Sequence, residues 1–461
     1  MEKNKDFLGT EPVGKLMFQL SLPAIAAQLI NMLYNIVDRV YIGHMPEVGA
    51  LALTGIGVCT PIIIIVSAFA ALVAMGGAPR ASIEMGKGDR EAAERILGSC
   101  FTLQVVISAV LTAVLLLWGR PLLLMFGASE NTVVYAAQYL STYALGTVFV
   151  QLTLGMNAFI TAQGFAKTSM LTVLIGAVCN IILDPIFIFG LKLGVRGAAL
   201  ATILSQGVSC VWVLLFLCGK KTQLRLRASC LRPSARILAP CVALGVSPFI
   251  MQASESLVSI CFNSSLLKYG GDLAVGAMTI LTTVMQFTMM PMQGFAQGAQ
   301  PISSYNFGAR NAARVKKTFQ LLVTVCSIYA VTLWGAVQLF PQVFASLFTS
   351  DAALVEYTRG ALRIYAAAMF ALGVQMPCQM TFVSLGNAKA SILVAIFRKF
   401  IALIPLIYVL PLFFTDKVFA VYLAEPVADT ISVVFAATLF AFEFKKAMKQ
   451  LEAPAPLQDR T

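Results

Sequence analysis

Gly76-Gly-Ala-Pro79-Arg-Ala-Ser82-Ile-Glu-Met-Gly86 and Gly298-Ala-Gln-Pro301-Ile-Ser-Ser304-Tyr-Asn-Phe-Gly308 carry Gly, Pro, Ser and Gly at one spacing, 222 residues apart. The offset persists outward from these stretches. Phe126, Tyr135 and Tyr143 fall on Phe348, Tyr357 and Tyr365, and Gly164, Ala166, Lys167 and Ser169 fall on Gly386, Ala388, Lys389 and Ser391. Eleven matches at one register, with Gly and Pro paired, read as an internal duplication.

What is duplicated belongs in a membrane. Of 461 residues, 59% are apolar and 12% charged, against about 45–50% and about 25% in soluble domains. That excludes an ordinary soluble enzyme, a secreted disulfide protein and a disordered tail. An all-α polytopic membrane protein remains, because a helix satisfies its own backbone groups in hydrocarbon. A crossing needs about 20 mostly apolar residues. Twelve stretches qualify, near 16–43, 51–78, 96–117, 132–160, 168–190, 197–218, 239–267, 274–306, 319–340, 361–384, 390–413 and 419–443. Several exceed the required length, which predicts tilts or kinks. The organisation expected is an N-terminal six-helix lobe (1–218), a cytoplasmic linker (219–238), a C-terminal six-helix lobe (239–447) and a cytoplasmic tail (448–461). Six is even, so both halves enter from one side as parallel repeats. Transporters of that plan bind near the midplane between the halves and rock around the site.

Basic residues orient the spans. The N-terminus, the even-numbered loops and the C-terminus hold 23 Lys and Arg, and the other six loops hold 6. By the positive-inside rule both termini are cytoplasmic. The net charge of +12 sits in clusters between apolar runs, which reads as topology and lipid contact, not nucleic-acid binding. The linker, with Lys220, Lys221, Arg225, Arg227, Arg232 and Arg236, reads as a headgroup-contacting segment. No short h-region or cleavage site marks the N-terminus as a cleaved signal. The ten cysteines have no metal or redox spacing and read as small apolar residues. His44 is the only histidine, so no His-based metal site is expected.

A carboxylate at the centre of a membrane helix costs about 2.5–3.5 kcal/mol on insertion scales, so it marks a candidate site. Asp184 lies in Asn180-Ile-Ile-Leu-Asp184-Pro185, where Asn180 shares its helix face. Pro185 gives the carbonyl of Ile181 no donor. A carboxylate, an amide oxygen and a spare carbonyl suit a proton or a small hard cation; a Pro kink with a hydrogen-bonded Asp is the plainer reading. Asp38, in Tyr34-Asn35-Ile-Val-Asp38-Arg39, is either functional or an interfacial carboxylate paired with Arg39. Pro23 and Pro185 are candidate hinges. Glu255, between serines in Gln252-Ala-Ser-Glu255-Ser256, and the i, i+4 pair Glu425 and Asp429 form a possible second polar site with Gln252. Asn35, Met285, Met289 and Gln293 are candidates for a substrate cavity wall. For the methionines, Met290 and Met292 included, lipid-facing filler is the preferred reading. Arg363 and Arg398 read as interfacial. There is no GxxxxGK[ST] motif and so no ATP site; transport would draw on an ion gradient.

Over about residues 10–445 the chain resembles the multidrug and toxic compound extrusion (MATE) family, in its MepA-type branch. The resemblance rests on Leu33-Tyr-Asn-Ile-Val-Asp38 with Ile42-Gly43-His44, on Gly86-Lys-Gly-Asp89, on Asn180-Ile-Ile-Leu-Asp-Pro-Ile-Phe187, and most specifically on Gln297-Gly-Ala-Gln-Pro-Ile-Ser-Ser-Tyr-Asn-Phe-Gly308-Ala. It implies two six-helix lobes around a central cleft, exchanging H+ or Na+ for lipophilic organic cations. It also implies an N-lobe cation site at Asp38, Asn180, Asp184 and Thr202, with Na+ possible at the first three. Another branch of the family uses a Glu on helix 7, matched by Glu255, with an Asp on helix 10. Span 10 here has neither Asp nor Glu.

The reading is a monomeric secondary transporter of the bacterial plasma membrane, not an enzyme. It would export organic cations in exchange for H+, ahead of Na+, without a cofactor or a bound metal. A desolvated carboxyl holds a proton more readily, and a proton and a cationic drug compete for one negative charge. A lipid-linked oligosaccharide flippase of the same superfamily is the first alternative, but its cavity would need positive charge. An intramembrane enzyme and a channel come after it.

Overall fold

The computed structural model describes residues 6–46, 48–349 and 351–453, with the side chain of Ala50 outside that description. The first half contains α1 (Phe7–Thr10), α2 (Val13–Gly43), α3 (Gly49–Gly86), α4 (Arg90–Met125), α5 (Val133–Leu145), α6 (Thr147–Ala162), α7 (Ala166–Pro185) and α8 (Gly194–Cys218). The second contains α9 (Ala235–Gly308), α10 (Ala312–Leu339), α11 (Pro341–Ser346), α12 (Ala352–Tyr365), α13 (Leu372–Ser384), α14 (Ala388–Ile396), α15 (Ile404–Phe413) and α16 (Lys417–Glu452). One π-helical turn, Ile186–Gly190, follows α7, and another, Phe397–Leu403, joins α14 to α15. The described residues include no strand.

Among them, nine helices are long and apolar enough to cross a membrane. Two further crossings are bent pairs, α5 with α6 at 58° and α12 with α13 at 48°. At 74 residues α9 would reach roughly 110 Å if straight, against a hydrocarbon core of about 30 Å. It is two helices broken at Gly271, whose φ of 65° and ψ of −162° suit only glycine. Counting it as two brings the crossings to the expected twelve. Spans 4 and 10, expected as single runs, are the bent ones. Their corners, at Gly146 and near Ala368, are a 222-residue pair. A Cβ on Gly146 would collide with the Ile203 side chain of α8, so glycine lets this corner press against that helix.

The chain divides into two compact units. The N unit is Gln19–Ala81 and Arg90–Ser256; the C unit is Met1–Phe18, Ser82–Asp89 and Leu257–Thr461. In the N unit, Ile56, Ile62, Leu115, Leu140, Tyr143 and Ile203 belong to one buried core. In the C unit, Phe319 stacks on Phe440 at 4.3 Å, with Phe382 edge-on to Phe440.

Small residues let helices approach closely, as between helices in lipid. In the N unit, a Cβ on Gly76 would strike the carbonyl of Cys241, and one on Gly245 that of Leu72. In the C unit, Gly86 lies against the carbonyl of Tyr305 and Gly308 against that of Ile83. Ile83 and Tyr305 are themselves 222 residues apart, so the ends of the two stretches that reveal the duplication meet in a reciprocal contact. The cysteines are free, as small apolar residues would be, but Cys100 and Cys241 touch each other inside the N unit.

The connection Gly219–Leu238, expected as a headgroup-contacting segment, makes specific contacts with the N unit. The Gln163 Oε1 accepts from the Thr222 hydroxyl at 2.8 Å and from the backbone N–H groups of Gln223 and Leu224 at 2.7 and 2.9 Å. Glu94 accepts from the N–H of Arg225 at 3.1 Å and pairs with Arg227 at 3.0 Å. The segment is strapped to the N unit while its six basic side chains stay exposed.

Candidate functional site

Within the N unit, α2, α7 and α8 bring the expected acceptors together. Asn180 and Asp184 are one turn apart on α7 and fully buried, and the Asn180 amide donates to Asp184 Oδ1 at 3.3 Å. Pro185 ends α7 and the chain continues as a π-helical turn, an irregularity frequent at functional sites. Asp38 of α2 sets its carboxyl against that of Asp184, not in an ion pair with Arg39. Thr202 of α8 donates to the Ala198 carbonyl at 3.0 Å, and its hydroxyl meets that of Tyr139 of α5, a ring that also lies near Asp38. Tyr34, one turn before Asp38, lies near both carboxyls.

This arrangement is short of donors. Asp38 Oδ1, Asn180 Oδ1 and Asp184 Oδ2 are buried and accept no hydrogen bond among the described residues. An unpaired buried acceptor forfeits about 1–3 kcal/mol, and more when charged. Three of them around two adjoining carboxyls are acceptors of a kind that a proton or a cation can satisfy.

The same face opens on a polar cavity inside the N unit. Asn31, Tyr34, Thr153, Asn157, Thr172, Asn180, Thr202, Ser205, Gln206 and Ser209 line it, with Gly176 and a few apolar residues. Asn157 Oδ1 and Gln206 Oε1 are further buried oxygens without a donor. Asn35, expected on a cavity wall, instead donates to the Asn31 carbonyl at 2.6 Å, and Asn31 supplies the lining. The sequence reading missed Tyr34, Tyr139, Asn157, Ser205 and Gln206. A signal existed for some of them: Tyr135, Tyr139 and Tyr143 recur every four residues, and Ser205 and Gln206 follow Thr202 at i+3 and i+4.

The possible second site is not one cluster within either unit. Gln252 and Glu255 belong to the N unit, where Glu255 is exposed and Ser254 donates to the Met251 carbonyl. Glu425 and Asp429 belong to the C unit. There Arg398, read from sequence as interfacial, is only 9% exposed. Its Nε and Nη2 donate to Asp429 Oδ1 at 3.0 and 2.8 Å, and Nη2 lies 3.7 Å from Glu425 Oε1. The correction has a plain cause: two acids buried on α16 need a positive partner, and the guanidinium serves both. Met285 and Met292 are buried in the C unit, against the lipid-facing reading; Met289 is half-buried and Gln293 exposed.

Residues 23–186 and 248–409 each match the MatE family profile, one match per half. The multidrug export protein MepA of Staphylococcus aureus is 24% identical over 416 residues, which cover 90% of this chain and 91% of that protein. MepA of Staphylococcus haemolyticus is 25% identical over 424 residues, covering 91% and 92%. A crystal structure of MATE in the bent conformation superposes with a TM-score of 0.92 at 22% identity, covering 98% of this chain and 100% of the other. At that identity the superposition speaks for the fold.

Proposed function

The chain belongs to the MatE family, and from that premise we propose that it is a multidrug exporter of the bacterial plasma membrane, exchanging a cation for lipophilic, mostly cationic organic compounds. The observation that carries the reading is the set of three buried oxygens without donors, on Asp38, Asn180 and Asp184. A proton between the two carboxyls satisfies both acids at once. The two adjoining carboxyls can share one proton with no further ligand, which favours H+ over Na+ as the coupling ion. The names of the staphylococcal relatives support multidrug export as the activity.

The exchange follows from competition. A proton and an organic cation each neutralise the same carboxyl pair, so loading one expels the other. Each ligand shifts the balance of inward and outward states only by its differential affinity for them. Protonation at Asp184 and Asp38 bends α2 near Pro23 and shrinks the cavity lined by Asn180 and Thr202. Pro185 and the π-helical turn after it let α7 yield. The transporter works as a monomer by rocking-type alternating access and uses no organic cofactor. No feature of the site favours the flippase reading, since the unpaired groups here are acceptors and acids.

The test is ethidium efflux from preloaded, energised cells that express the wild type or Asp184→Asn, with the proton and sodium gradients collapsed separately. Efflux should fall to background in the variant, and in the wild type when the proton gradient alone is removed. Normal export by Asp184→Asn would sink the proposal.

A further inference from the structure

The duplication extends into the functional site, and there the two copies differ. α14 keeps the 222-residue register of α7, and that register carried to the second residue of the π-helical turn after α14 sets Arg398 on Gly176. Beyond the π-helical turn, α16 matches α8 at 223: Val418 falls on Val195, Leu423 on Leu200, Ala424 on Ala201 and Ser432 on Ser209. That register sets Glu425 on Thr202 and Asp429 on Gln206. In the N unit, Gly176, Thr202, Gln206 and Ser209 all line the polar cavity. Their counterparts Arg398, Glu425, Asp429 and Ser432 are all buried in the C unit. Where the N unit has a hydrogen atom at Gly176, the C unit has a guanidinium, held 2.8 Å from one acid and 3.7 Å from the other.

We propose that Arg398 is the resident cation of the C unit: its tethered guanidinium fills the place that the N unit leaves open to an exchangeable ligand, and so confines cation exchange to the N unit. The inference rests on the exchange reading above. Its chemistry is simple. A free cation binds two buried acids reversibly, whereas a covalently attached one is always present and cannot be traded. Lys399, the next residue, is also buried. Removing Arg398 leaves Glu425 and Asp429 without their guanidinium, in a site between the π-helical turn and α16. That site suits a monovalent organic cation.

The experiment uses the purified full chain in detergent and ethidium as the probe. Wild type, Arg398→Gly, Arg398→Gly/Asp184→Asn and Arg398→Gly/Glu425→Gln/Asp429→Asn are titrated by fluorescence anisotropy. Wild type should show one class of site that is lost in Asp184→Asn. Arg398→Gly should gain a second saturable site that survives Asp184→Asn and disappears with Glu425→Gln/Asp429→Asn. An Arg398→Gly protein that elutes as wild type, keeps the Asp184-dependent site and gains nothing would overturn the proposal. If Arg398→Gly does not fold, Arg398→Met/Glu425→Gln/Asp429→Asn removes every charge of the triad. Wild-type efflux by that variant supports confinement to the N unit, and lost efflux with intact ethidium binding overturns it. A wild type without an Asp184-dependent site, beside an Arg398→Gly protein that gains one, would count against the exchange reading alone and support the C-unit site.

Discussion

The two units solve one problem in opposite ways. Each buries a pair of carboxyls on its own helices: Asp38 and Asp184 in the N unit, Glu425 and Asp429 in the C unit. In the C unit the chain supplies the positive partner itself, through the two hydrogen bonds of Arg398 to Asp429. In the N unit the oxygens of Asp38, Asn180 and Asp184 are left without donors, and the neutralising partner must come from solution. The first arrangement is neutralised from within, and in the proposed exchange the second is the receptive one. A duplicated fold makes the contrast possible, because one copy can keep a ligand site while a change at the position of Gly176 closes the other.

The contrast breaks most sharply at the carboxylates. Asp429→Ala takes from Arg398 its two-pronged partner and leaves the buried guanidinium with the longer contact to Glu425. Losing one partner of a buried pair costs about 3–5 kcal/mol, and Glu425 should hold the loss to the lower end. Asp184→Asn is isosteric, removes a charge and lets the new amide donate to Asp38. Its stability should change by no more than about 0.5 kcal/mol, although export fails. Thermal unfolding of the two purified variants reads both effects. A large loss in Asp184→Asn, or none in Asp429→Ala, would mean that the structural and receptive roles are assigned to the wrong units.

Most of the architecture was legible because it is written in local or periodic signals. Apolar runs give crossings, a constant offset gives the duplication, and Asn180-Ile-Ile-Leu-Asp184-Pro185 puts its polar atoms on one helix face by spacing alone. What escaped is what depends on meetings between distant helices. Arg398 and Asp429 lie 31 residues apart on different helices, and an Arg in an apolar run looks the same whether it reaches a headgroup or a buried acid. Tyr139 sits in a stripe that reads equally well as core. The 58° corner at Gly146 is hidden because both of its arms are apolar, and an apolar run records length but not direction. The strapping of the linker through Gln163 rests on one side chain and three donors, with no periodicity to announce it.

The reciprocal glycine contact sharpens the comparison where the two repeats are alike. Gly86 and Gly308 each lie against a backbone carbonyl, and the two carbonyls, of Tyr305 and Ile83, are themselves repeat partners. Backbone cannot swing aside as a flexible side chain can. Gly86→Ala and Gly308→Ala should therefore each destabilise by about 1–3 kcal/mol, as overpacking does, and by similar amounts. Thermal midpoints of the two variants check this. A tolerant site on one side and a severe one on the other would show that the repeat symmetry of this contact does not extend to its energetics.

The smallest effect separates structure from function at a single repeat position. Asn157 donates to the carbonyl of Ser169 at 3.2 Å, and Gln379, 222 residues on, donates to the carbonyl of Ser391 at 3.0 Å. Truncating either to Ala leaves a carbonyl without that donor and should cost about 1 kcal/mol. Gln379→Ala should lose slightly more, because Gln379 also donates to the Ser391 hydroxyl at 3.0 Å. Of the two, Asn157 is the one that lines the polar cavity. Ethidium binding should therefore weaken in Asn157→Ala and stay at the wild-type level in Gln379→Ala, although their melting temperatures fall together. If neither variant changes binding, the ligand does not use the part of the cavity where Asn157 sits. If both weaken it, the C unit also reaches the exchangeable ligand, and Arg398 is not the closed counterpart of Gly176.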